Sequence, residues 1–291
     1  MDLGQEEPRV GQVLEDVGED NAIEESARGQ TGEGAGGDVG EDGLNSFLGR
    51  REHSVGILVN ADDAALPPHG WSYVASPSGN VGFGRAHNAL AHQTGEEFLL
   101  LLNPDAVPFF DCLQNLLEAA DQHPEAALLE AVQAPLEHPK YYDPSTLETG
   151  WCSAACLLVR RAVFTEIGGF DPAFFLYGED VDLSWRVWLS GWRCLYIPTA
   201  RCVHVTEAQD WGKSRQLETL HQAAAGLRLR RKYFGEDSVA AYLADLRKTF
   251  PPRFVATITQ EFDSTVIRER VIRRDPHVSL GGEGTYGPRR W

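Results

Sequence analysis

The sequence predicts an α/β fold: a mostly parallel central sheet flanked by helices. Three observations carry this. Short apolar runs alternate with segments of helical period. The runs are continuous rather than alternating, as in Phe98-Leu99-Leu100-Leu101-Leu102, which is expected where both faces of a strand are covered. Polar, acidic turns follow two of the runs, at Asn60 to Asp63 and Asn103 to Asp105, and the ligand of such a sheet is expected beyond the carboxyl ends of its strands.

Residues 1 to 50 are rich in Gly, Glu and Asp and poor in aromatics, and they carry more than half of the net charge of −17. They offer too little apolar area to offset ordering entropy and are expected to be a disordered tail. The acidic start has no apolar h-region, so no secretory leader is expected. An acidic surface also disfavours nucleic acid as a partner. Five cysteines without a CxxC pair read as reduced, buried thiols, which suits a cytoplasmic protein. No run reaches the roughly 18–20 apolar residues that span a bilayer.

From there the chain reads element by element. Val55 to Val59 and Trp71 to Ala75 are strands, and a turn cluster follows at Ser76 to Asn80. Gly82 to Leu90 is a Gly-rich entry into a helix reaching about Gln93. Its glycines do not fit GxGxxG, so a dinucleotide fingerprint is not supported. Glu97 to Leu102 is a strand; Phe109 to His123 is a helix with Leu113, Leu116, Leu117 and Ala120 on one face. Ala126 to Ala131 and Cys152 to Val159 are strands, the latter leading into a short helix at Ala162 to Ile167. A helix starts at Glu179 and stops at Gly191, and a strand covers Cys194 to Cys202. Leu217 to Phe234 and Val239 to Leu246 are helical. The expected division is a tail at 1–50, a catalytic domain at 51–235 and a helical or irregular extension at 236–291.

Three places hold candidate chemistry. Asp105, fixed after Asn103-Pro104 at a strand end, could hold a divalent cation; the same tripeptide is also an ordinary Asx turn. Glu179, Asp180 and Asp182 open a helix beside Phe174, Phe175 and Tyr177. One acid suffices to cap a helix, so the surplus points to function. Asp182 and Arg186 stand at i and i+4 and read as a structural pair. That leaves Asp180 as a general base and Glu179 as an orienting group. His204 ends a strand and could join Asp105 at a metal, although a lone His is also a common structural residue.

In this order the pieces resemble the inverting glycosyltransferases of family 2 with a GT-A fold, closest to the rhamnosyltransferase-like branch. Asn80-Val81-Gly82-Phe83-Gly84 with Asn88 is similar to its NxGFxxxxN loop. Leu99 to Asp105 resembles its strand and DxD-like motif in the NPD form. Arg160-Arg161 with Ile167 to Asp171, then Phe175 to Leu183, resemble its RR…GGFDE and FxYxEDxDL segments, and Pro198 and His204 its trailing P…H. The resemblance covers about residues 55 to 235.

It implies transfer of a sugar from a nucleotide-diphospho-sugar to an acceptor hydroxyl with inversion. The acceptor would be a saccharide or lipid-linked saccharide, met in the cytoplasm or in peripheral association with the inner face of the membrane. Mg²⁺ or Mn²⁺ would be held by Asp105 and His204. Asn60, Asp62, Asn80, Gly82, Asn88 and Asn103 would line the donor side, with Asp180 as base. The family's first strand is expected to be missing here, its place taken by the acidic tail. That leaves a second reading, a catalytically impaired relative acting as a binding or interaction module.

Overall fold

The structure is a computed structural model; it describes residues 56–59, 72–75, 80–93, 95–135, 140, 142–204 and 213–263. In chain order, β1 (Gly56–Val59) and β2 (Ser72–Ala75) precede α1 (Phe83–Ala91), β3 (Phe98–Leu102) and β4 (Ala106–Pro108). Then come α2 (Cys112–Gln122), β5 (Ala126–Ala134), β6 (Cys156–Arg160) and α3 (Arg161–Glu166). The chain continues through α4 (Glu179–Leu189), β7 (Arg193–His204), α5 (Lys213–Phe234), α6 (Glu236–Thr249) and α7 (Pro252–Asp263). The acidic tail, Asn60, Asp62, the turn at Ser76 to Gly79 and the segment after Asp263 lie outside the described residues.

β1 and β2 pair in parallel as a separate ribbon. The main sheet has five strands in the order β3-β6-β5-β7-β4. The α/β class holds, but the expectation of a mostly parallel sheet needs correction. Of the pairings in this sheet only β5 with β7 is parallel; β3–β6, β5–β6 and β4–β7 are antiparallel. Continuous apolar runs report that both faces are covered, and this sheet is covered on both faces whatever the strand direction.

Adjacent residues on one strand feed opposite layers. On β6, Leu158 joins a layer with Leu113, Leu116 and Ala120 of α2, whereas Leu157 and Val159 join Val163, Phe164, Phe170, Leu183 and Val187 on the other face. A third cluster packs α5, α6 and α7 together through Ala224, Leu227, Val239, Ile258 and Phe262. All five cysteines are buried and free.

Boundaries shift where turn chemistry outweighs apolar content. Cys152 to Ala155 is not strand: β6 begins at Cys156, and the four preceding residues spend their backbone groups on other partners. β4 and α7 were not anticipated. β4 is three residues long and ends in Pro108, too short to carry a period. α7 opens on Pro252, whose fixed φ and missing N–H suit the first helical position.

Leu158 is 1% exposed at the centre of the α2-facing layer. Leu158→Ala should cost about 2–5 kcal/mol, the range for buried Leu-to-Ala cavities, read as a lower urea midpoint at unchanged m-value.

Candidate active site

The acidic helix α4 is entered through two left-handed residues, Tyr177 (φ 66°) and Gly178 (φ 79°). The sharp entry turns three acids to three different surroundings. Asp182 points inward and is fully buried. Arg186 Nε donates to it at 2.8 Å and Tyr233 Oη at 2.6 Å, and Lys232 adds a second cation. Lys232 also pairs with Asp171, so α5 locks both α4 and the Gly168–Asp171 turn. The i, i+4 pair of Asp182 and Arg186 is therefore structural, as its spacing suggests.

Glu179 is 5% exposed, and its Oε2 is buried without a hydrogen-bond partner. Burial first, then the charge of Asp180, pushes its pKa up to about 8. Asp180 is partly buried. Burial raises its pKa, and the amides of Val181 and Ala154 and the charge of Lys140 pull against that rise. The Val181 amide donates to Oδ1 at 2.8 Å. A hydroxyl brace adds to this: Ser184 Oγ donates to Asp180 O at 2.7 Å and accepts the amide of Cys152 at 3.0 Å.

The second half lies where β3 ends. The register of β4 on β7 sets Ala106 opposite His204. His204 Nε2 stands 3.2 Å from Asp105 Oδ1 and 3.4 Å from Asn103 Nδ2. His204 Nδ1 is 2.8 Å from Gln133 Oε1 on β5. With the Gln133 oxygen as assigned, Nδ1–H donates, and Nε2 turns toward a carboxylate. That arrangement calls for a proton on Nε2 or a cation between the two groups. Partial burial raises the pKa of Asp105, but the hydrogen bond and charge of His204 outweigh it and hold it low. Asn103 Oδ1 is buried with no partner. Among the described residues no three His, Cys, Asp or Glu side chains gather as a cation site. A carboxylate, an imidazole and an idle amide oxygen nevertheless suit a divalent ion that takes its remaining oxygens from phosphate and water.

The other sequence candidates divide. Asn80 Oδ1 accepts the amide of Gly82 at 2.9 Å and shapes the loop before α1. Gly82 (φ 86°) lies against Phe175, whose carbonyl a Cβ would meet at 2.5 Å. Asn88 spends both ends of its amide on the backbone of Phe170, at 2.8 Å each, which anchors the Gly168–Asp171 turn to α1. Asn60 and Asp62 lie outside the described residues.

Five residues were given no site role by the sequence reading. The backbone of Ser153 and Ala154 touches Glu130 and Asp180. Glu130 pairs with Lys140 beneath them. Burial first, then the charges of Glu218, Glu179 and Asp105, lift the Tyr177 hydroxyl to about 12. The signal for Glu130 was present: a lone carboxylate inside the apolar run Ala126 to Ala134 must find a partner.

Comparison with known proteins agrees with the motifs. Residues 146–220 match the model of Glycosyltransferase like family 2, which takes in Arg160-Arg161, the Gly168–Asp171 turn and the Phe175–Leu183 segment. The chain is 31% identical over 175 residues to N-acetylglucosaminyl-diphospho-decaprenol L-rhamnosyltransferase of Mycobacterium tuberculosis, over 44% of this chain and 57% of that protein. It is 41% identical over 54 residues to Rhamnosyltransferase WbbL of Escherichia coli (strain K12), over 19% of this chain and 20% of that protein. The chain thus spans just over half the length of the mycobacterial relative. A solved structure of GalNAc-T7 with UDP, GalNAc and Mn²⁺ aligns with a TM-score of 0.47 at 12% identity, over 66% of this chain and 44% of that one. The resemblance to family 2, rhamnosyltransferase-like branch included, is borne out by the family match and the two relatives.

A carboxyl whose folded pKa is raised stabilises the fold below its unfolded pKa, and that contribution is lost as pH rises through the folded value. For Glu179 the window runs from 4.5 to about 8. Glu179→Gln should flatten the fall of melting temperature across that window, with the variant gaining on the wild type toward pH 8. Parallel profiles from calorimetry would rule out the buried, proton-holding Glu179.

Proposed function

We propose that this chain, with its family 2 segment at residues 146–220, is a glycosyltransferase that uses a nucleotide-diphospho-sugar and inverts the anomeric centre. One observation carries the reading. Asp180 and the Asn103–Asp105–His204 cluster are tied to the same short segment: Ser184 Oγ accepts the Cys152 amide at 3.0 Å and donates to Asp180 O at 2.7 Å, and the carbonyl of Ala155 accepts the amide of Asn103 at 2.9 Å. A base and a corner suited to a divalent ion, held on one piece of backbone, suit a reaction that deprotonates one oxygen while another departs on a diphosphate.

In this mechanism Asp180 takes the proton of the acceptor hydroxyl. The freed oxygen forms the new bond to the anomeric carbon, and the bond from that carbon to the diphosphate oxygen breaks with its electron pair leaving on the nucleoside diphosphate. A single displacement of this kind inverts the centre. Asp105 and His204, with Asn103 Oδ1 beside them, would hold Mg²⁺ or Mn²⁺, which neutralises charge on the leaving diphosphate. Glu179, kept protonated near neutral pH by burial and by Asp180, can donate a hydrogen bond to the acceptor.

The mycobacterial relative is named for a decaprenol-linked acceptor, and a lipid-linked saccharide is the acceptor class we assign here. Among the described residues no helix is long and apolar enough to cross a membrane, so such an acceptor would be met at a bilayer surface.

Two measurements test this. Millimolar UDP, GDP or dTDP with Mn²⁺ should raise the melting temperature with at least one nucleotide, because a ligand at a hundred times its Kd adds about 2.7 kcal/mol to the native state; flat traces with all three would argue against donor binding. Asp180→Asn should lower transfer by about 10²–10⁴-fold while keeping that thermal shift. Nucleotide binding without turnover of any nucleotide-sugar in the wild type would instead favour a non-catalytic binding protein.

A further inference from the structure

We propose that the buried Lys140–Glu130 ion pair is a positioning device for Asp180, clamping the peptide that braces Asp180 through Ser184 and setting a fixed positive charge within its reach. The proposal rests on the reading of Asp180 as the base.

The geometry is that of a clamp. The side chains of Lys140 and Glu130 are 2% and 0% exposed. Lys140 Nζ donates to Glu130 Oε2 and, at 3.1 Å, to the carbonyl of Trp151, and it lies 4.1 Å from the centre of the Trp151 ring. The same Glu130 oxygen accepts the amide of Ser153 at 2.9 Å. The pair therefore grips residues 151 and 153, and the amide of Cys152 between them donates to Ser184 Oγ, which donates in turn to the backbone carbonyl of Asp180. Any slack in the pair passes directly into the placement of Asp180.

The charges are arranged to matter as well. Those facing Asp180 are Glu179 from its own helix, Glu130 from β5, and Lys140 from the segment after β5. Two are acids, so Lys140 is the cation among them. Burial drives Asp180 and Glu130 toward the neutral acid, and in both cases Lys140 opposes it. A buried pair of this kind is costly to desolvate, and apolar residues of similar volume could fill the space at lower cost. Keeping a carboxylate ionised so that it can accept a proton is the return. The partnerless Oε1 of Glu130 marks the compromise: one oxygen carries both the cation and the amide.

The test follows the Asp180 carboxyl directly. In protein labelled with ¹³C at aspartate carboxyls, the Asp180 resonance is the one missing from Asp180→Asn, and its titration midpoint is compared in wild type, Lys140→Met and Lys140→Met/Glu130→Leu. The double variant removes both buried charges, so it remains measurable if the single variant does not fold. Loss of the cation in Lys140→Met should move the midpoint up by about one pH unit, and the double variant, which loses the opposing Glu130 charge as well, should move it up by less; the acid limb of the turnover profile should move with it while the nucleotide-induced thermal shift is kept. A purely structural role would lower the melting temperature and leave the midpoint in place. An unmoved or lowered midpoint overturns the proposal. The two readings fail separately: full turnover in Asp180→Asn removes Asp180 as base, whereas an inactive Asp180→Asn with an unmoved midpoint in the Lys140 variants removes only the clamp.

Discussion

The peptide of Cys152 to Ala155 is the joint on which the rest of the site depends. It has strand-like composition but pairs with no strand, so its backbone groups are free for other partners. Two successive amides reach Ser184 and Glu130, Ser184 in turn donates to the carbonyl of Asp180, and the carbonyl of Ala155 reaches back to Asn103. Buried backbone groups must be satisfied, and here their satisfaction fixes side chains from β5 and α4 and the backbone at the end of β3. A shift of this segment would move Asp180 and the Asn103–Asp105 turn together.

A second constraint sits behind the first. Asp182 lies one turn into α4, fully buried, with Arg186, Lys232 and Tyr233 around it. Taking these charges out of water costs several kcal/mol per ion unless the pairing is complete, and here both carboxylate oxygens are used. Because Lys232 and Tyr233 come from α5, the helical cluster beyond the sheet contributes to the orientation of α4. Glu179 and Asp180 can then occupy positions where burial raises their pKa because the next acid on the same helix is so fully paired.

Much of this was legible in the sequence. The runs at 98–102 and 156–160 announced covered strands, since alternation disappears when both faces are packed. Strand direction was not legible, because it is set by how connections cross the sheet and not by the residues in the strand. Asp180, Asp105 and His204 were legible as types at telling positions. The role of Asn88 was not: an amide matched to the backbone of Phe170 looks in sequence like any polar residue on a helix. Glu130 and Lys140 stand ten positions apart with an apolar strand end between them, and only burial turns them into a pair.

The pairing of β4 with β7 has a consequence for how the protein is made. Asn103 and His204 are 101 positions apart. A ribosome releases the chain from its amino end, so β3 and the Asn103 turn emerge long before the strand that brings the imidazole. Contacts of such long sequence separation form late and slow folding, because loop closure must precede them. The Asn103–Asp105–His204 corner is thus completed only once β7 has emerged and paired with β4, after the strands and helices between them have been made.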